Sequence, residues 1–212
     1  MSLSPRQRDL VLSLKYSTIE ACFSVPMLNI TMPNLPFLLA FVTAQLRWPS
    51  WAIGFLAALP HLCNCIQPPI SRWLERHWSL QTIMRWGFVL SAVPWFFVGA
   101  SSIVSPRVAN IAFSVLLTIA TLANSVTSVA WSASISQLVP NRIAGKYYGK
   151  RNLIFGAWTL FAVLLAGKIV DFAQDKSFAF SCIFSAAGLC RLFGLFFLRR
   201  MKFPSGVTQR RE

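Results

Sequence analysis

Residues 108–151 read VANIAFSVLLTIATLANSVTSVAWSASISQLVPNRIAGKYYGKR. From Val108 to Val139 the stretch holds no charged residue, and directly after Pro140 come Arg142, Lys146, Lys150 and Arg151. About 20 predominantly apolar residues suffice for a helix to cross the hydrocarbon core of a bilayer. A charge-free run that ends in a basic cluster therefore predicts a membrane span emerging on the cytoplasmic side. Inside the run, Thr118, Thr121, Ser125, Ser128, Ser132 and Ser136 follow a three-four alternation. That spacing puts them on one helix face, with Asn124 and Trp131 on its flank. Polar groups at membrane depth are costly and point to a water- or substrate-facing surface. The other reading is close helix packing through small residues.

The composition of the whole chain agrees. Of 212 residues, 55% are hydrophobic and 12% charged, against about 25% charged in an ordinary soluble domain. This excludes a soluble globule. The formal net charge of +14 would suggest a nucleic-acid partner in a soluble protein, but here the basic residues lie between apolar runs. A lipid bilayer, and no nucleic acid, is the expected environment. The predicted fold class is all-α: a polytopic membrane protein with six transmembrane helices. The approximate spans are 12–46, 51–74, 80–101, 108–139, 153–170 and 178–198, within a membrane domain 10–200. Residues 1–9 are expected as a cytoplasmic N-terminus, and 201–212 as a basic cytoplasmic tail. The first run contains Pro26, Pro33 and Pro36, so it is one long bent helix or a helix broken near NITMPNLP.

Charge fixes the orientation. On one set of alternate connections lie Arg6, Arg8, Lys15, Arg72, Arg76, Arg85, Arg142, Lys146, Lys150, Arg151, Arg199, Arg200, Lys202, Arg210 and Arg211, fifteen of the 20 basic residues. The opposite set has Arg47, Arg107, Lys168 and Lys176, with Asp171 and Asp175 among them. Such a bias puts both termini in the cytoplasm, as an even number of spans requires. The expected location is a cytoplasmic or plasma membrane. No cleaved signal peptide is expected, because Lys15 and Glu20 interrupt the first apolar run and no small-residue cleavage site follows.

Further polar groups fall within predicted spans. Glu20, Ser24, Met27, Thr31 and Asn34 keep the three-four spacing, and Asn29 lies to one side. Glu20 is the only acidic residue inside a span. It reads either as a proton-accepting or cation-pairing group, or as a residue near the cytoplasmic end, paired with a basic residue such as Lys15 or Arg85 or reaching the interface. Arg191 lies about two turns before Arg199 and Arg200, and is expected to snorkel toward the cytoplasm. His61, Asn64 and Gln67 fall three apart and read as hydrogen-bonded structure. Cys22, Cys63, Cys65, Cys182 and Cys190 all fall in apolar runs and read as small buried residues, with no zinc spacing. An intramembrane serine hydrolase would have only Ser101, on Gly99-Ala100-Ser101-Ser102, and His61 to work with. There is no phosphate-binding G-x-x-x-x-G-K-[ST] loop. No enzyme activity, cofactor or metal is expected.

Three stretches carry a family likeness. PSWAIGFLAALPHLCNCIQPPISRWLERH resembles the second helix of the major facilitator superfamily running into its signature G-x-x-x-D-R-x-G-R, with Glu75 in place of the Asp and Arg76 as the retained Arg. Ser71, Trp78 and Ser79 replace the other signature residues. SQLVPNRIAGKYYGKRNLIFG is similar to the family's R-x-G-R-x-x-G pattern through Arg142, Gly145, Lys146, Gly149, Lys150 and Arg151. NITMPNLPFLLAFVTAQL is like its first helix. The fifth segment lacks the Gly-Pro pair of the family's antiporters, so nothing favours antiport.

The resemblance covers nearly the whole chain but only the N-terminal six-helix half of a family member. It implies a secondary-active transporter that moves a small, polar organic solute by alternating access, one half rocking against the other. The implied substrate cavity is lined by Glu20, Ser24, Asn29, Thr31, Asn34, Thr121, Asn124, Ser125, Ser128, Trp131 and Ser132. The implied cytoplasmic gate comprises Glu75, Arg76, Arg142, Gly145, Lys146, Gly149, Lys150 and Arg151, its glycines letting helix ends approach closely and its basic residues capping or pairing across the gate. The C-terminal half is expected elsewhere: in the same protein if this sequence is truncated, in a second copy, or in a separate subunit. Residues 201–212 would then begin the linker between halves. A non-transporting six-helix scaffold or assembly module is the alternative.

Overall fold

The computed structural model of the protein describes residues 5–100 and 106–201, and every element in them is a helix. They are α1 (Pro5–Thr31), α2 (Pro36–Ala44), α3 (Ser50–His77), α4 (Leu80–Ala100), α5 (Pro106–Leu138), α6 (Asn141–Phe172) and α7 (Lys176–Arg200). The first apolar run is broken, at residues 32–35, within the NITMPNLP stretch. Pro36 restarts the chain at the first helical position of α2, where its missing N–H costs nothing. The freed polar groups are satisfied locally: Met32 N donates to Leu28 O at 2.9 Å, Leu35 N to Met32 O at 3.1 Å and Thr31 Oγ1 to Met27 O at 2.9 Å.

Four stretches are long and apolar enough to cross a membrane: Arg8–Ala44 taken through the break, Asn110–Leu138, Asn141–Phe172 and Lys176–Arg200. This all-helical, strongly apolar architecture is compatible with a membrane protein. α3, expected as a span, falls outside that group among the described residues: Pro60, His61, Asn64, Gln67, Pro68 and Pro69 dilute its apolar character. The largest boundary difference is in α6, which starts at Asn141 rather than near 153. Pro140 stands at its N-cap, and nothing beyond it breaks a helix, so the basic stretch 142–151 is helical and not a connection.

The pairings of the long helices are systematic. α1 packs on α6 and α7, α5 packs on α3 and α4, and α4 packs on α7. Exchanging α1, α3 and α4 with α5, α6 and α7 reproduces the same pairings: α1 on α7 becomes α5 on α4, α1 on α6 becomes α5 on α3, and α4 on α7 is kept. The six long helices thus form two triplets with equivalent neighbours. Small residues permit the closest approaches. A Cβ at Gly87 of α4 would collide with Thr127 of α5, and one at Gly194 of α7 would lie 2.7 Å from Ser24 Oγ of α1.

An aromatic cluster anchors α2. Phe41 meets Phe184 of α7 edge-to-face and Phe180 at a tilt, with ring centroids 5.0 and 5.1 Å apart, and Trp95 of α4 closes on Phe184 at 5.3 Å. A second apolar cluster gathers Met84 and Phe88 of α4 with Leu195 and Leu198 of α7. α6 is different. It buries only Arg151 and Ala166, while Leu153, Leu160, Leu164 and Phe172 are exposed on its outer face. An apolar outer face of this kind suits contact with lipid.

Candidate functional site

The inner face of α1 is polar along most of its length. Ser13, Ser17, Glu20, Ser24, Met27 and Thr31, spaced by fours and threes, are all buried. Glu20 and Ser24 face α7, since a Cβ at Gly194 would come within 3.8 Å of Glu20 Cγ as well as meeting Ser24. One turn before Gly194, Arg191 is 4% exposed. Its guanidinium carbon lies 3.7 Å from the centroid of the Phe88 ring. Its Nε donates to Ser91 Oγ at 3.2 Å and its Nη2 donates to Asn124 Oδ1 at 3.2 Å. Arg191 therefore joins α7 to α4 and α5, and does not snorkel to the cytoplasmic end as expected from sequence. The aromatic face and two acceptors hold it inside the bundle.

A second arginine enters from α6. Arg151 is 8% exposed, and its guanidinium carbon stacks 4.4 Å from the Trp131 ring of α5 and 5.2 Å from Phe155. Its Nε is buried and has no hydrogen-bond partner among the described residues. Glu20 interacts electrostatically with both Arg191 and Arg151, and Trp131 lies in its surroundings. Glu20 thus pairs with neither Lys15 nor Arg85. Its partners come from α6 and α7.

The cluster holds two guanidinium groups and one carboxylate. Arginine remains protonated in proteins, so at neutral pH with Glu20 ionised the cluster carries an excess positive charge. Buried charge is costly unless paired and fully hydrogen-bonded. Arg191 is well satisfied; Arg151 is not.

Beside the cluster lies a cavity of about 20 Å³ lined by Met27, Thr31, Met32, Ser91, Thr121 and Asn124, among others. One water needs roughly 10–15 Å³ on this measure, so the space is water-sized. Met32 and Pro33 of the helix break form part of its wall, which fits irregular backbone at membrane depth lining a cavity.

The expected cavity residues fall into separate environments. Thr31, Thr121 and Asn124 meet at the cavity, and Glu20, Ser24 and Trp131 belong to the charge cluster. Asn29 bonds back to Val25 O at 2.9 Å, and Asn34 is exposed at the break. Along α5 the stripe turns outward: Ser125 is half-buried, while Thr118, Ser128, Ser132 and Ser136 are exposed. Thr118 and Ser136 satisfy their hydroxyls on Ser114 O and Ala133 O of their own helix.

Of the expected gate residues, Glu75, Arg76, Arg142, Gly145, Lys146, Gly149 and Lys150 are exposed, and only Arg151 is drawn inside. A Cβ at Gly145 or Gly149 would meet nothing within 4 Å, so these glycines sit on an open helix face and serve no close approach. His61 and Asn64 are exposed on α3; Ser101 lies outside the described residues. Among the cysteines, Cys63 is buried but Cys65 and Cys182 are exposed on the outer surface, against expectation. Sequence reading assigned no role to Ser91 or Phe88. The one signal for them was Arg191 itself, a charge inside an apolar run that needs acceptors and an aromatic face.

Comparison with family models, with curated proteins and with solved structures finds no match for this chain.

Proposed function

We propose that this chain is one six-helix half of a secondary transporter, with a solute path along the open polar face of α5. The observation that carries this reading is the exposure of Ser128, Ser132 and Ser136 on a helix apolar enough to span a membrane. Hydroxyls on the outside of such a helix are unfavourable against lipid and favourable against a water-filled path completed by a second half. The exchangeable pairing of α1, α3, α4 with α5, α6, α7 supports it, because transporter halves of the major facilitator type contain two three-helix repeats. On this reading all six long helices cross the membrane. α1 and α5 occupy equivalent places, and the second half comes from the remainder of a longer protein, a second copy or a separate subunit. Alternating access then follows from rocking one half against the other.

The test is aqueous accessibility in the membrane. Single cysteines at Ser128, Ser132, Leu153 and Leu160, in a background lacking the five native cysteines, are challenged with a membrane-impermeant thiol reagent in native vesicles. Labelling at 128 and 132 with protection at 153 and 160 is the expected pattern. Equal protection at all four sites would sink the reading. The tight packing of Ser24 and Glu20 against Gly194 favours a second reading, a non-transporting membrane module whose α5 face docks a partner helix. In that case positions 128 and 132 stay protected in the assembled membrane and react after purification in detergent.

A further inference from the structure

The charge cluster has more positive than negative groups, and one of its guanidinium groups has a buried Nε with no hydrogen-bond partner among the described residues. Arg191 is held by the Phe88 ring and by hydrogen bonds to Ser91 and Asn124. Arg151 has aromatic rings against its face and no acceptor for Nε. A guanidinium stacked on an indole keeps its N–H groups in the ring plane, free to bind an oxyanion through two parallel bonds. Trp131, which supports it, is half-buried on the flank of the exposed α5 stripe, next to Ser132. Trp131 thus links the Arg151 guanidinium to the helix that carries the exposed stripe.

We propose that Arg151, packed over the Trp131 ring of α5, is the docking point for an oxyanion, a carboxylate or phosphate group carried by the solute. This rests on the transporter reading and narrows its solute to an anionic one. An oxyanion there neutralises the excess charge of the cluster and supplies the missing acceptor. The same chemistry is available from an anionic lipid headgroup, and the experiment separates the two sources.

The purified full chain in neutral detergent is heated in the presence of inorganic phosphate, malonate, sucrose or tetraethylammonium chloride at matched ionic strength, and the unfolding midpoint is read. Phosphate or malonate is expected to raise the midpoint in a saturable manner, and sucrose and tetraethylammonium are not. Arg151→Gln, which removes the excess charge and is expected to fold, abolishes the response. Arg151→Lys keeps the charge but loses the planar fork, and weakens apparent affinity at least tenfold. Lys168→Gln, on the exposed face of the same helix, leaves it unchanged. An equal response in wild type and Arg151→Gln, or stabilisation by the neutral or cationic probe alone, overturns the proposal. So does stabilisation by phosphatidylglycerol over phosphatidylcholine with no response to the soluble anions, which would assign the oxyanion to a headgroup. Thiol labelling reports the path independently: an accessible stripe with no anion response refutes the anionic solute and leaves the transporter reading standing.

Discussion

α1 and α5 carry the same three-four alternation of small polar residues and occupy equivalent places among the pairings, yet their polar faces meet opposite fates. On α1 the face from Ser13 to Thr31 is buried against α7 and the cavity. On α5 it opens outward at Ser128, Ser132 and Ser136, while Thr121 turns in to the cavity and the flanking Asn124 and Trp131 turn in to the two arginines. The difference follows from what packs where. α7 presents Gly194 and Arg191 to α1, a gap and a charge that draw a carboxylate and hydroxyls inward. α4 presents Gly87 to α5, and the residue that fills the gap is Thr127, off the stripe. A periodic polar face is thus either a packing seam or an open surface, depending on the neighbour.

Glu20→Gln tests the buried face most severely. It removes the carboxyl that interacts electrostatically with both arginines, and a change within a buried polar network belongs to the substitutions with large effects. A large drop in the unfolding midpoint is expected, and Glu20→Gln combined with Arg151→Gln should recover part of it. An unchanged midpoint for the single variant would mean that the three groups are not coupled. Gly194→Val comes next: its side chain meets Ser24 and Phe88, and overpacking of this kind costs about 1–3 kcal/mol, read in the same assay. Asn124→Ala removes one acceptor from Arg191. Side-chain hydrogen bonds between membrane helices average about 0.6 kcal/mol, so the loss should be small but measurable by denaturant titration. Ser132→Ala, on the open face, should change stability by less than about 0.5 kcal/mol. Should Ser132→Ala destabilise the fold more than Gly194→Val, the contrast between the two faces would be reversed.

Much of the local structure could be read from residues alone. The prolines around NITMPNLP announced the break that divides α1 from α2, and the charge-free run after residue 108 announced α5. The start of α6 was less legible, because the glycines and basic residues of 141–151 look like a loop when the helix they continue is not seen. Glu20 and Arg191 stood out as charges in apolar runs. Their partners did not, because an electrostatic interaction between α1, α6 and α7, supported by an indole from α5, leaves no periodic trace in any one segment. The expected gate suffered for the same reason: seven of its residues lie on exposed helix surface and the eighth, Arg151, is internal.

The sequence by itself determined an all-helical, apolar and basic chain, the polar stripes on two of its helices, and the presence of charges too deep in apolar runs to be incidental. These are properties of composition and period, which act within a helix turn or along one span. The tertiary structure alone decided which stripe is sealed and which is open, and that Glu20, Arg151 and Arg191 form one cluster. Those outcomes depend on the close approaches at Gly87 and Gly194 and on the stacking of guanidinium on Phe88 and Trp131, where the contacting residues lie far apart in the chain and only packing brings them together.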